Sequence, residues 1–448
     1  MKNIRLFNSL GNQLEDFKPI QEGKVSFYFC GPTVYNDPHI GNFRPVIVFD
    51  TWRRLFLSLG YQVTFVSNYT DVDDKIIIRA KELGITEKEL TDSVIESYRG
   101  LVDQVGAMQP DITPRPTVYM DKIIEYIDDL VKENKAYQSG EDVYFNVADI
   151  KDYGCLSGNT VESLNSGARI EVNSAKKSPV DFALWKRTQE GIKWNSPWGE
   201  GRPGWHTECC VMIHSIFKDQ GGLIDIHGGG FDLKFPHHEN EIAQAEAHNH
   251  NHLAHYWLHN GFINIDNEKM SKSLGNVVLA KDVVAKFGGM PFRLMVLNTH
   301  YRAPLMFSEE TIQEARKNFE RIQIAYRQAS VLLQMEGVDI PSLHSDKNDA
   351  FFDELCNDLN TPNALTVLYA ELKNLNQAMR VRPLDIEKIK GIVAKLNDYF
   401  FALGLQVDYP HMGENEKKLY QEYLDAKAQK DFARSDVLRG ELMEKGIL

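Results

Sequence analysis

The chain has 448 residues, of which 43% are hydrophobic and 25% charged, and it carries a formal net charge of −13 at pH 7. That length exceeds what one hydrophobic core organises and predicts about three domains, while the composition excludes a disordered or low-complexity chain. The negative balance excludes nonspecific attraction to nucleic acid, so an RNA partner has to be met by a local basic patch.

The N-terminus MKNIRLFNSLGNQ lacks the basic, apolar, small-residue order of a signal peptide, and no run of about 18 uncharged apolar residues follows, which predicts a cytoplasmic protein without a membrane span. Lys24 to Cys30 (KVSFYFC) reads as a short strand, followed by a Gly-Pro turn, a Pro-His-Ile-Gly stretch and the helical pattern FRPVIVFDTWRRLFLSLG. Gly60 closes that helix, and YQVTFVSNYTDVDD opens as a second strand. The result is a βαβ unit with polar residues gathered after the strand ends, where open α/β sheets bind ligands. Residues 137–194 change to Gly, Ser and Asn punctuation with short strand-like pieces, DVYFNV and ARIEV, and read as an insertion. GLIDIHGGG and the helical pattern after Pro236 return to the α/β core over 195–265. From residue 309 onward the text is long, charged and helical. The five cysteines, Cys30, Cys155, Cys209, Cys210 and Cys356, are odd in number and scattered. They predict reduced thiols or metal ligands rather than a disulfide framework.

Three constellations carry chemistry. In Pro38-His39-Ile40-Gly41-Asn42, ahead of a helix, glycine admits close approach of a phosphate, the helix N-terminus offers unpaired N–H groups, and imidazole adds a donor. Taken alone, a loop histidine is more often solvated. In Lys269-Met270-Ser271-Lys272-Ser273, two lysines suit the charge that grows on a leaving pyrophosphate, although an isolated pair is more often a basic turn. Pro236-His237-His238-Glu239-Asn240-Glu241 opens with Pro at a favoured first helical position. His237 and Glu241, four residues apart, then share one face and can share an ion, with His238 about 100° round the helix.

PHIGN followed far downstream by KMSKS resembles the two sequence marks of class I aminoacyl-tRNA synthetases. The surrounding text (FYFCGPTVYNDPHIGNFRP, SNYTDVDDKI, DYGCLSG, DFALWK, GRPGWHTEC, IDIHGGGFDLKFPHHENEIAQ and DLNTPNAL) is similar to the cysteinyl-tRNA synthetase family over nearly the whole chain. The resemblance implies an α/β fold: a Rossmann-type parallel-sheet catalytic domain (1–136 and 195–265) interrupted by a connective insertion (137–194). A stem-contact region with the KMSKS loop (266–308) and a helical C-terminal anticodon-binding domain (309–448) follow. It implies ATP-dependent activation of L-cysteine and transfer to tRNA(Cys), with magnesium accompanying ATP and the chain acting as a monomer.

By the same resemblance one zinc per chain sits on Cys30, Cys209, His237 and Glu241, with Cys210 and His238 the less favoured neighbours. Thr70, Trp205, His227 and Asp232 border the cysteine, Asp232 suited to its ammonium and His227 to its carboxylate. Thr33, His39, Gly41, Asn42, Lys269 and Lys272 bind ATP, and His39, Lys269 and Lys272 act in the chemistry. Four protein ligands ordinarily mark a closed structural zinc. Ligands drawn from three remote segments, one of them a carboxylate, suit instead an ion that accepts a substrate thiolate. Trp205 could equally be core. Asn42 stands where the family's motif ends in histidine. The chain stops at Gly446-Ile447-Leu448, where most relatives continue, so anticodon reading is expected through Asp436 and Arg439 and to be weaker. A related cysteine ligase acting on an amino-sugar thiol precursor would share the zinc and both motifs, and a noncatalytic RNA-binding protein is the remaining alternative.

Overall fold

The fold is a computed structural model describing residues 2–159, 175–265, 268–269, 277–341 and 346–448. The expected ARIEV strand and Lys272 lie outside the described residues.

Four parallel strands form the central sheet, in the order Ala254–Asn260, Ile224–Gly230, Lys24–Phe29, Gln62–Ser67. Lys24–Phe29 therefore has its sequence successor on one side and a strand from the far side of the insertion on the other. Its junction with Ile224–Gly230 is the point where the strand order reverses, and a crevice at the strands' C-terminal ends is expected there. Both faces of the sheet are covered, which is why its strands read as near-continuous apolar runs. Alternation still sorts them: Phe27 and Phe29 join the cluster that runs through Trp52 to Leu368 and Tyr399 in the C-terminal helices. Tyr28 joins the opposite cluster with Val143, Trp185, Cys209 and Trp257, and Cys30 packs against that same cluster.

The helix Ile40–Ser58 is buried nearly all round because it lies between the sheet and the C-terminal helices. Its polar side chains are spent as ties. Arg293, fully buried, pairs with Asp50 and donates to the Leu403 carbonyl at 2.5 Å and the Val105 carbonyl at 3.2 Å. Arg44 reaches the carbonyls of Gly261 (2.7 Å) and Phe262 (2.9 Å).

A separate four-stranded antiparallel sheet runs Ala136–Ser139, Asp142–Phe145, Phe182–Arg187, Gly201–Pro203, its last strand lying beyond the expected insertion. The last of these leads directly into the helix Trp205–Ile216. At the C-terminal end the described helices are Glu309–Met335, Ala350–Cys356, Thr361–Ala378, Ile386–Leu403, Glu414–Ala428 and Phe432–Glu444. Among the elements without a counterpart in the sequence reading are a hairpin of Arg5–Asn8 with Gln13–Asp16 and the edge strand Ala254–Asn260. No helix among the described residues is long and apolar enough to cross a membrane.

Candidate active site

Three chain segments converge at the crevice. Cys30 follows directly on the first strand, and its N–H donates to the Gly228 carbonyl at 3.0 Å. Cys209 lies one turn into the helix Trp205–Ile216, and His237 and Glu241 bracket the start of the helix Glu239–Asn249. The backbone packing is close enough to demand glycine. A Cβ on Gly31 would stand 1.7 Å from the Asn68 carbonyl oxygen, and one on Gly229 would stand 2.8 Å from the His238 ring.

The four ligand atoms of Cys30, Cys209, His237 and Glu241 all lie within 4.8 Å of one another. Sulfurs bound at about 2.3 Å to one tetrahedral zinc stand about 3.8 Å apart. The two Sγ atoms here are 3.9 Å apart, Cys209 Sγ is 3.8 Å from His237 Nε2, and Cys30 Sγ is 3.9 Å from Glu241 Oε1. His237 Nε2 and Glu241 Oε1 are closer, at the hydrogen-bonding distance of 2.8 Å. This donor set of two sulfurs, one nitrogen and one oxygen fits zinc in kind and in span.

Helical backbone resumes at Pro236 after an extended Phe235 (φ −142°, ψ 134°) and a cis Phe235-Pro236 peptide, so His237 and Glu241 meet at helical i,i+4 spacing as expected. His238 nevertheless reaches the site, its Nε2 coming within 3.3 Å of Cys30 Sγ. Cys30, His227, His238 and Glu241 make a second possible donor set. It offers one thiol where the first offers two, and both of its histidines are wholly enclosed. The first set lies beneath Trp205, which stacks on His237 at 4.2 Å and is 40% exposed. Trp205 and His206, which both contact His237, also border a cleft of about 530 Å³ with Asp73, Tyr144 and Lys186.

Charge is distributed unevenly in this pocket. Cys30 donates toward Cys209 and draws its thiol down to about 6, while burial pushes Cys30 well up, so the pair shares one proton. Burial disfavours the charge on Glu241, yet His227 and His237 outweigh it and hold the carboxyl well below its ordinary range. For His237 burial is likewise outweighed, by Glu241 and Cys209, and the imidazole rises to about 10. The outer ring stays neutral: burial drops His206 and His259 to about 3 each. These outer histidines form a chain the sequence reading did not assign. His238 Nδ1 meets His259 Nε2 at 2.8 Å, His259 Nδ1 meets Ser9 Oγ at 2.8 Å, and His206 Nδ1 meets His237 Nδ1 at 3.0 Å. A visible signal for it was the density of histidines between His206 and His259.

The expected cysteine-pocket residues divide. Trp205 is not core; it lids His237. Thr70 is buried and bonded to Asn68 and Glu208. Asp232 is exposed on the turn Phe231–Leu233 that follows the third central-sheet strand. His227 departs from its expected role at the substrate carboxylate: it is fully enclosed between Tyr28 and Trp257, with Nε2 on Glu241 Oε2 at 2.6 Å. It supports a candidate ligand instead, as outer partners of metal sites do.

His39 caps the helix Ile40–Ser58, its Nδ1 accepting from the Asn42 N–H at 3.1 Å, which leaves the ring proton of the neutral imidazole on Nε2. Gly41 and Asn42 form the first turn, and Thr33 bridges Thr70. Val278 to Ala280 pair with this loop: Ile40 N–H donates to Val278 O and Ala280 N–H to Pro38 O, both at 3.0 Å. Asp37 adds a 2.5 Å contact to Lys281. The segment that leaves KMSKS is thus anchored on PHIGN. Lys269 lies on a short strand, Glu268–Lys269, paired with Ile263–Ile265.

A parallel sheet with its crevice at the reversal point, the His39-capped helix beside it and the segment Val278–Ala280 folded back on that loop are the arrangement of a class I aminoacyl-tRNA synthetase, the class to which the catalytic-domain match assigns the chain. The fold is shared with methionyl-tRNA synthetase from Mycobacterium tuberculosis in complex with methionyl-adenylate (TM-score 0.63, 14% identity, 92% of this chain and 96% of that one). It is shared equally with the LeuRS-tRNA-LeuAMS ternary complex from Agrobacterium radiobacter (TM-score 0.62, 11% identity, 87% and 85%). Residues 16–317 match the family described as tRNA synthetases class I (C) catalytic domain, and residues 350–407 match the DALR domain. Cysteine--tRNA ligase from Acholeplasma laidlawii is 42% identical over 445 residues, 99% of this chain and 100% of that protein. The Bacillus cereus protein of the same name is 44% identical over 455 residues, 99% and 97%. The chain belongs to the class I cysteinyl-tRNA synthetase family.

Proposed function

We propose that the protein activates L-cysteine with ATP and esterifies it to the terminal ribose of tRNA(Cys), selecting cysteine through a zinc ion held by Cys30, Cys209, His237 and Glu241. The observation that carries this reading is the meeting of those four side chains at the sheet's reversal point, beneath Trp205. Bound zinc would offer the substrate thiolate a direct bond that serine and alanine cannot make, a larger discrimination than shape alone supplies.

The chain's own residues do the rest by position and charge. No side chain is needed as a nucleophile, because the cysteine carboxylate attacks the α-phosphorus of ATP and pyrophosphate leaves. His39, with its proton on Nε2, donates to a phosphoryl oxygen at the N-terminus of the helix it caps, beside Gly41 and Asn42. Thr33 borders the same nucleotide. Lys269 and Lys272 neutralise the departing pyrophosphate, with magnesium accompanying ATP. Asp232 and Thr70 receive the ammonium group, and Trp205 closes over the side chain. The stem-contact region over 266–308 and the helices from residue 309 hold the tRNA, and the chain works as a monomer in the cytoplasm. Matches that run through the C-terminal helices favour tRNA over an amino-sugar thiol precursor as acceptor.

The test has three parts on the purified protein: zinc content after dialysis, cysteine-dependent exchange of pyrophosphate into ATP, and charging of tRNA(Cys). About one zinc per chain with both activities is expected. Exchange that survives complete removal of the metal with its preference for cysteine over serine intact refutes the zinc reading.

A further inference from the structure

Glu208 stands next to a candidate zinc ligand, yet neither its own sequence context nor the activity accounts for an acid enclosed there, 1% exposed. Its partners are informative. Glu208 Oε2 lies 3.2 Å from Thr70 Oγ1, and the same oxygen of Thr70 takes a hydrogen bond from Asn68 Nδ2 at 3.1 Å. Asn68 in turn accepts, through Oδ1, the Gly31 N–H at 2.9 Å.

The directions of these bonds follow from donor bookkeeping. A backbone N–H can only donate, so the atom of Asn68 facing Gly31 is its carbonyl oxygen, and the atom facing Thr70 is its NH₂. Thr70 Oγ1 therefore accepts from Asn68. Its single proton has one acceptor left among these partners, Glu208 Oε2. A hydroxyl has one proton and two lone pairs, so Thr70 retains one lone pair and nothing to donate. That leaves a site selective for a donor. Thr70 is tied to both sides of the metal crevice, its N–H donating to Pro32 O at 3.0 Å beyond Cys30, and its hydroxyl meeting Glu208 beside Cys209.

We propose that Glu208 is a positioning residue that turns the Thr70 proton inward, so that the remaining lone pair of Thr70 faces the ammonium group of the substrate cysteine. The inference rests on the placement of Thr70 in the cysteine pocket given above and adds what makes that hydroxyl an acceptor. Glu208 acts through Thr70 and touches no substrate atom.

The experiment uses pyrophosphate exchange by the full-length zinc-loaded enzyme, with 3-mercaptopropionate, cysteine without its amino group, as competitive inhibitor. Glu208→Met removes the acceptor at similar volume, and Glu208→Asp withdraws it by one methylene while keeping the carboxyl group, so a folding failure in one leaves the other to report. Loss of a hydrogen bond to a charged group corresponds to a rise of about tenfold in the KM for cysteine. The kcat and zinc content are expected to hold, and inhibition by 3-mercaptopropionate to stay unchanged. Glu208→Gln, which can still present a carbonyl oxygen to Thr70, restores a near-normal KM. A parallel loss of 3-mercaptopropionate binding, an unchanged KM, or a Gln variant as poor as Met each overturns the assignment. Thr70→Val separates the two levels: if it leaves the cysteine KM alone, the pocket placement of Thr70 fails whatever Glu208 does.

Discussion

Cys30 Sγ lies 3.9 Å from Cys209 Sγ although 179 residues separate them in the chain. Nothing local holds them together. The first ends a strand of the central sheet, the second rides on a helix reached only after the insertion has been completed, and the pair forms where the two halves of the sheet meet.

Cys209→Ser is therefore expected to remove the metal without unfolding the chain, since the surrounding packing is supplied by the large apolar cluster containing Tyr28, Trp185 and Trp257. Hydroxyl oxygen is a poor zinc ligand beside thiolate. Cysteine-dependent pyrophosphate exchange should fall by about 10² or more, because changes even in the outer partners of metal sites cost 10–100-fold. Zinc content by atomic absorption and the far-ultraviolet circular dichroism spectrum check both halves; full zinc occupancy in the variant would remove Cys209 from the ligand set.

The two donor sets that share Cys30 and Glu241 are separated by their histidines. His237→Ala is expected to release zinc. His238→Ala should retain it, because His238 belongs to the set with a single thiol. Metal release from the His238 variant alone would assign the ion to the deeper set.

Without metal, pH should act on each group of this cluster in a defined direction. His237 is raised to about 10 by Glu241 and Cys209, against burial. A raised imidazole contributes stability that is fully present below its unfolded value of about 6.5 and is lost as pH climbs toward 10. Glu241 is held low, so its contribution is present above the ordinary carboxylate range and is lost only in acid. His237 alone would thus lower the Tm between pH 6.5 and 10, but the Cys209 thiol, drawn down to about 6, gains stability as pH rises from there toward its ordinary range, so the two largely offset and the Tm of the metal-free protein should change little over that interval. Zinc requires the neutral imidazole, so its affinity should rise over the same range. Melting curves with and without chelator at pH 6.5, 8 and 9.5 should show the gap between the two forms widening; a constant gap would mean His237 is not charged in the metal-free protein.

The sequence carried some of this plainly and hid the rest for physical reasons. KVSFYFC and YQVTFVS are legible as strands because buried parallel strands are continuous apolar runs. His237 and Glu241 met as expected. Helix periodicity set His238 apart from His237, but it could not show that Cys30 Sγ comes within 3.3 Å of His238 Nε2, because that approach is fixed by tertiary packing. Ala254–Asn260 (AHYWLHN) concealed its strand character because its polar last residues are buried, His259 in the histidine chain and Asn260 against the Gly261 carbonyl. The roles of Asn68 and Glu208 were illegible too, since a hydrogen-bond relay among residues 31, 68, 70 and 208 exists only in three dimensions.

DLNTPNAL, read in the sequence as a family mark of the C-terminal region, proves to be a joint. Asp358 is buried, and its Oδ1 accepts from the Phe7 N–H at 2.9 Å and from the Tyr301 hydroxyl at 2.7 Å, while Oδ2 accepts from Arg302 Nε at 2.8 Å. One carboxylate thus binds the N-terminal hairpin, the end of the segment after KMSKS and the start of the C-terminal helices. Asp358→Asn isolates that function, because Asp358 has φ +59° and asparagine accepts the left-handed region as readily as aspartate, leaving the backbone unstrained. The amide must turn an NH₂ toward donors on one side and leaves Arg302 without its charge partner. A loss of about 2–3 kcal/mol is expected from a broken buried charged hydrogen-bond set. The metal crevice shares none of these bonds, so zinc content and cysteine-dependent exchange at 25 °C should stay near normal while the thermal transition moves down. A variant with unchanged melting and impaired exchange would place Asp358 in the chemistry rather than in the joint.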